Sequence, residues 1–214
     1  MPLSTARQLT VEKTPSYFIT KDAPQRIFNM SAKVRLIIVV RDPVTRAISD
    51  YVQAVSKRPR LPPFIDLAFR NASRSRLPVP GVKSSWAPIQ LGIYSRHMKR
   101  WLSVFPRHQI HVVDGEQLIK NPFAEMAKVQ DFLQLKPAIR TNHFYFSRSK
   151  GFPCFVVDSD GRSQERTSPS IRCLGRTKGR PHPQIDAHSL RQLREFYRPF
   201  NEDFFRMTGM RFYW

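Results

Sequence analysis

Apolar residues along this chain follow two rhythms. Leu36–Val40 is a short, unbroken, largely β-branched run that stops abruptly at Arg41, the pattern of a parallel strand buried on both faces. Ile110–Val113 repeats that pattern and ends at Asp114-Gly115. Elsewhere apolar positions recur every three or four residues, as on one side of a helix. That spacing predicts helices over Asp22–Met30, Val44–Ser56, Ile89–Phe105, Pro122–Leu135 and Asp186–Tyr197, with shorter ones over Phe64–Phe69 and Asn201–Met207. In Pro122–Leu135 the expected core face is Phe123, Met126, Val129, Phe132 and Leu133. Asp186 is placed to cap its helix. Leu9–Thr14 reads as a strand running into Pro15, and Phe144–Phe146 and Phe152–Val157 as extended segments. Strands alternating with helices define an α/β domain with a mainly parallel central sheet, here a single domain over residues 1–214.

Polar stretches separate these elements. Arg58–Pro63 is basic and proline-rich, Asn71–Ser85 is polar with Pro78, Pro80 and Gly81, and Asp158–Ser170 has no apolar period. Hydrophobic content of 41% and aromatic content of 12% exclude an intrinsically disordered chain. The net charge of +20 is spread along the sequence and calls for a polyanionic partner: nucleic acid, an acidic membrane surface or a sulfated polysaccharide. No helix-turn-helix, zinc-finger or RNP-like signature is present, which argues against nucleic acid. No apolar stretch reaches the ~18 residues of a membrane span, and the N-terminal residues lack a signal-peptide apolar region. Met1 is followed at once by what reads as mid-domain sequence, so the expectation is a chain that begins partway through a larger protein.

Cys154 and Cys173 cannot build a zinc site by the usual spacings, and no metal is expected. They fit either one disulfide, which implies an oxidising compartment, or two buried thiols. Asn29-Met30-Ser31 and Asn71-Ala72-Ser73 are glycosylation sequons.

The chemistry concentrates after Leu36–Val40. Arg41 stands at the carboxyl end of a buried strand, where open α/β sheets bind ligands. Pro43 suits a first helical turn. Ser49 follows about two helical turns on and can share a side with Arg41. One fixed cation and one hydroxyl make a phosphate cradle. The plainer alternative is a turn with a local ion pair.

Seven segments, in order, resemble the carboxyl-terminal two-thirds of the heparan sulfate glucosamine 3-O-sulfotransferase family: VEKTPSYF (11–18), VVRDPVTRAISDY (39–51), IQLGIYSRHMKRWL (89–102), IHVVDGEQLIKNPF (110–123), HFYFSRSKGFPC (143–154), RCLGRTKGRPHP (172–183) and LREFYRPFN (193–201). The resemblance implies a P-loop-NTPase-like sulfotransferase fold. It implies transfer of a sulfo group from 3′-phosphoadenosine 5′-phosphosulfate (PAPS) to the 3-hydroxyl of glucosamine in heparan sulfate, without a metal. In its terms Arg41 and Ser49 hold the donor's 3′-phosphate, and Lys178, Gly179, Arg180, Pro181 and His182 form a loop closing over the donor. Lys13 faces the transfer site and Gln90 contacts the saccharide. Trp86 fits either a saccharide contact or a core aromatic. Cys154 and Cys173 match the family's disulfide pair. The resemblance also implies residence in the Golgi, with the membrane reached only through an anchor not present in this chain.

The family's lysine- and glycine-rich phosphosulfate loop, the strand before it and the catalytic glutamate after it have no counterpart in these 214 residues. Glu12 belongs to the EKTP segment and is not that glutamate. A general base contributes ~10²–10⁴ in rate, so the expectation is a chain with little or no transferase activity as given. A non-catalytic heparan sulfate or other polyanion binder is the alternative function.

Overall fold

The computed structural model describes residues 8–70, 81–149, 151–157, 170–175 and 179–214. Its centre is a parallel pair, β1 (Leu36–Val40) and β2 (Ile110–Asp114), in register from Leu36 beside Ile110 to Val40 beside Asp114. Parallel neighbours need a long crossover. Here it runs through α2 (Pro43–Val55), α3 (Phe64–Ala68), α4 (Ala87–Leu91) and α5 (Tyr94–Leu102). Before β1 lies α1 (Ala23–Met30), and after β2 come α6 (Gly115–Lys120) and α7 (Pro122–Leu133). A separate antiparallel sheet joins β3 (Phe144–Ser147), β4 (Phe152–Val157) and β5 (Ser170–Arg172) in that order. The chain closes with α8 (Ala187–Thr208). The expected α/β architecture is present. The extended segments expected after residue 143 form a sheet of their own.

Two apolar clusters flank α8. One packs Ile38, Val40, Tyr94, Met98, Trp101 and Phe105 against Phe204 and Phe212. The other packs Val44, Ile48, Phe64, Ile89 and Ile93 against Leu193 and Tyr197. The stripe Leu193, Tyr197, Asn201, Phe204 and Thr208 explains why α8 is one helix of 22 residues where two were expected. Its buried residues recur at helical spacing straight past Pro199, and that burial outweighs the hydrogen bond that proline cannot donate. Arg107 donates from Nε to the Thr208 carbonyl (2.9 Å), placing a cation at the helix C-terminus.

Other expectations are corrected. Leu9–Thr14 is not a strand: it is exposed coil, because no neighbouring strand pairs with it among the described residues. Ile89–Phe105 is not one helix. It breaks at Gly92-Ile93, where Tyr197 packs against Gly92 and donates to the Ile89 carbonyl (2.9 Å), and Ile93 has a non-helical ψ of 70°. On α7 the buried positions are Glu125, Val129 and Gln130. Both polar side chains are held by backbone: Glu125 accepts from the Asp114 N–H (3.2 Å), and Gln130 from the N–H groups of Ala138 (2.8 Å) and Ile139 (2.9 Å). Nor is β1 buried on both faces. Ile37 is 40% and Val39 58% exposed, while α7 covers the corresponding face of β2. The polar stretch 158–169 and the sequon at Asn71 lie outside the described residues.

His97 on α5 is buried against Phe18, with ring centroids 5.4 Å apart, and Arg100 lies 3.0 Å from its Nδ1. Burial first, then the Arg100 charge, lower its pKa to about 4. The unfolded chain takes up this proton near pH 6.5 and the folded chain near pH 4, so His97 costs stability as the pH falls between those values. The cost reaches about 3 kcal/mol at full protonation. In His97→Gln, the fall in unfolding free energy between pH 7 and pH 4, measured by denaturant titration, should be visibly shallower than in the parent.

Candidate active site

Parallel register brings the carboxyl ends of β1 and β2 to one level, so the residues after them meet despite a separation of 75 positions. Arg41 Nε donates to Glu116 Oε1 at 2.9 Å, and Arg41 Nη2 to Oε2 at 3.3 Å. Gly115 makes this approach possible. A Cβ there would stand 2.6 Å from Arg41 Cγ and 2.8 Å from the Val40 carbonyl oxygen. The Arg41 backbone is fixed from the other side by Tyr94, whose hydroxyl donates to the Arg41 carbonyl (3.0 Å). Burial, with a smaller opposing effect from Arg46, pushes the Tyr94 hydroxyl up to about 12, so it stays protonated and keeps that bond.

Helix α2 starts immediately after. Asp42 caps it, accepting from the Val44 N–H (3.0 Å) and the Thr45 hydroxyl (2.7 Å), with Pro43 in its first turn. Two turns along, Ser49 Oγ lies 2.9 Å from His182 Nε2. One turn further, Gln53 Oε1 accepts from Arg180 Nη1 at 2.6 Å. Segment 179–182 is thus pinned along α2 by two side-chain contacts spaced as i and i+4 on the helix. Its start rests on the antiparallel sheet: Gly179 has φ +67°, and a Cβ there would meet Phe152 Cε1 at 2.4 Å. Burial first, and then the Arg41 charge, hold His182 below the usual imidazole range, so near neutral pH it is uncharged.

The structure therefore gathers Arg41, Ser49, Gly179, Arg180, Pro181 and His182 at one end of the parallel pair. Lys178 lies outside the described residues. Cys154 and Cys173 form a disulfide, with Cα atoms 4.4 Å apart. Lys13 is exposed. Its segment is anchored to α5 downstream, where the Phe18 carbonyl accepts from Trp101 Nε1 (3.0 Å) and the Phe18 ring lies 6.3 Å from that of Tyr94. Gln90 is exposed on α4. The Trp86 ring stands edge-on to Phe64 (5.4 Å) and Tyr51 (6.5 Å), which supports its core alternative.

Sequence reasoning gave no role to Glu116, Gln53 or Arg46. Glu116 carried a usable signal, since it follows the second strand as Arg41 follows the first. Gln53 lies one helical turn beyond Ser49. Arg46, also on α2, donates to Asp50 and to the Pro88 carbonyl, tying α2 to the helix that presents Gln90. A half-exposed guanidinium, a hydroxyl, a neutral imidazole and a glycine-led turn form a site suited to a phosphate or sulfate group.

The sulfotransferase domain family model matches residues 7–210, and the chain belongs to that family. Over the whole chain it is 51% identical to heparan sulfate glucosamine 3-O-sulfotransferase 3B1 of Homo sapiens, covering 52% of that protein. It is 47% identical to heparan sulfate glucosamine 3-O-sulfotransferase 6 of Homo sapiens, covering 59% of it. The chain thus spans about half the length of the curated relatives it matches. Among solved structures, a sulfotransferase from Alicyclobacillus acidocaldarius superposes with a TM-score of 0.62 at 17% identity, over 92% of this chain and 63% of that one, which shows the shared fold.

Gly115→Ala should lower unfolding free energy by about 1–3 kcal/mol, because the added methyl meets backbone and the root of Arg41 with no room to relax. Denaturant unfolding of the variant beside the parent measures this, and an unchanged midpoint would contradict it.

Proposed function

We propose that this chain forms the part of a heparan sulfate glucosamine 3-O-sulfotransferase that binds the nucleotide end of PAPS. The observation carrying this reading is the convergence of Arg41, Ser49 and segment 179–182 at the carboxyl end of the parallel pair. Ligands collect at that end of open α/β sheets. Arg41 offers a guanidinium held in place by Glu116, and Ser49 a hydroxyl, to the donor's 3′-phosphate. Arg180 and Gly179 border the same space, with Lys178 beside them in sequence. Glu116 orients Arg41 and would share it with a bound anion.

PAPS, when bound, supplies the sulfo group. Lys13 then offsets negative charge developing at the transferring group, and Gln90 orients the saccharide. The acceptor is the 3-hydroxyl of glucosamine in heparan sulfate, the substrate class in the relatives' names. The setting we propose is the Golgi lumen. The disulfide fits an oxidising compartment, and the Asn29 sequon lies at an exposed end of α1, open to glycosylation. No helix among the described residues is long and apolar enough to cross a membrane.

Adenosine 3′,5′-bisphosphate, the desulfated donor, should protect the chain against thermal unfolding. Ligand at a hundred times its Kd stabilises by about 2.7 kcal/mol. The double variant Arg41→Ala, Ser49→Ala should lose that protection. A cooperative transition that the nucleotide leaves unmoved in the parent would instead favour a polyanion binder without donor chemistry.

A further inference from the structure

We propose that the end of the parallel pair opposite Arg41 carries a second anion-binding pocket, which takes sulfo groups of a long acidic polysaccharide. This rests on the reading above that the chain's polyanion is a sulfated polysaccharide. The pocket lies between the turn leading into β1, the turn leading into β2, and the end of α7. Lys33, Arg35, His108, Gln109 and Phe132 line it, and no carboxylate does.

The lining is organised for an anion. Arg35 Nη1 donates to the Phe132 carbonyl at 2.7 Å, and its guanidinium carbon lies 5.9 Å from the centre of the Phe132 ring. A long flexible cation is thereby fixed at the wall, and a carbonyl at the C-terminal end of α7 is neutralised. Gln109 Nε2 donates to the carbonyls of Ala32 (2.9 Å) and Val34 (2.8 Å). Those oxygens would otherwise repel an anion at the rim. Lys33 and His108 add exposed donors from two different turns.

Arg35 precedes β1 and Arg41 follows it, so at about 3.3 Å per residue the two ends lie about 20 Å apart. A short oligosaccharide at the acceptor site proposed beside Lys13 and Gln90 does not need the pocket. A long chain can engage both, and the linkage raises its affinity through effective concentration. An isolated small anion gains no such advantage.

The test compares binding of the parent and two variants to immobilised long-chain heparin and to a short heparin oligosaccharide. The pocket variant is Lys33→Ser with Arg35→Gln, whose amide keeps a donor for the Phe132 carbonyl. The control removes two exposed cations of α8, Arg191→Ser with Arg194→Gln. The pocket variant should bind long-chain heparin about fivefold more weakly or worse, and its logarithmic salt slope should fall by about one to two. Its oligosaccharide affinity should stay unchanged, and the control should lose less than twofold. If the pocket variant unfolds, Lys33→Ser alone is read in its place. Equal losses in the two variants, or none in the pocket variant, would overturn the proposal. So would a thermal shift of the parent by inorganic sulfate alone that the pocket variant loses while heparin binding is kept. A parent that binds neither heparin would overturn the polysaccharide reading itself.

Discussion

The candidate site hangs on the parallel register of β1 with β2. Because Val40 lies beside Asp114, the next residue of each strand, Arg41 and Gly115, emerges at the same height. The charged pair Arg41–Glu116 then closes across the strand ends, with Gly115 as its clearance. A shift of one residue would turn inward-facing side chains outward and carry Arg41 away from Glu116. The pair is partly open to water, so its direct contribution to stability is small. Its importance is geometric. It fixes a cation where α2 begins, and α2 then places Ser49 and Gln53 under segment 179–182.

Local signals in the sequence were sufficient where local chemistry decides the structure. The β-branched run Leu36–Val40, the Asp42-Pro43 start of α2 and the Asp186 cap of α8 were legible for that reason. So was the placement of Arg41 at a strand end and of Ser49 about two turns into the helix after it. What escaped depended on residues far away in sequence. The break at Gly92-Ile93 is set by Tyr197 from α8, and the continuity of α8 through Pro199 by packing against two separate clusters. The exposure of Ile37 and Val39 reflects which elements lie over β1, which a strand's composition does not record. Glu116 and Gln53 acquire their roles from partners 75 and 127 positions away.

The positive charge is similarly resolved into places. A net +20 names a class of partner and no site. In the fold, part of that charge is used internally: Arg46 ties α2 to α4 and Arg107 closes the end of α8. Arg180, by contrast, is anchored to a neutral amide, and no ion pair holds it among the described residues.

The disulfide makes one wall of the site sensitive to redox conditions. Two of its walls, the strand ends and α2, are fastened to the apolar core. The third, segment 179–182, leans on Phe152, two residues from Cys154, and begins six residues after Cys173. Its placement is therefore supported from the disulfide-linked sheet as well as by its two contacts to α2. Without that bond the segment would keep its two contacts to α2 and lose the covalent brace of the sheet it leans on.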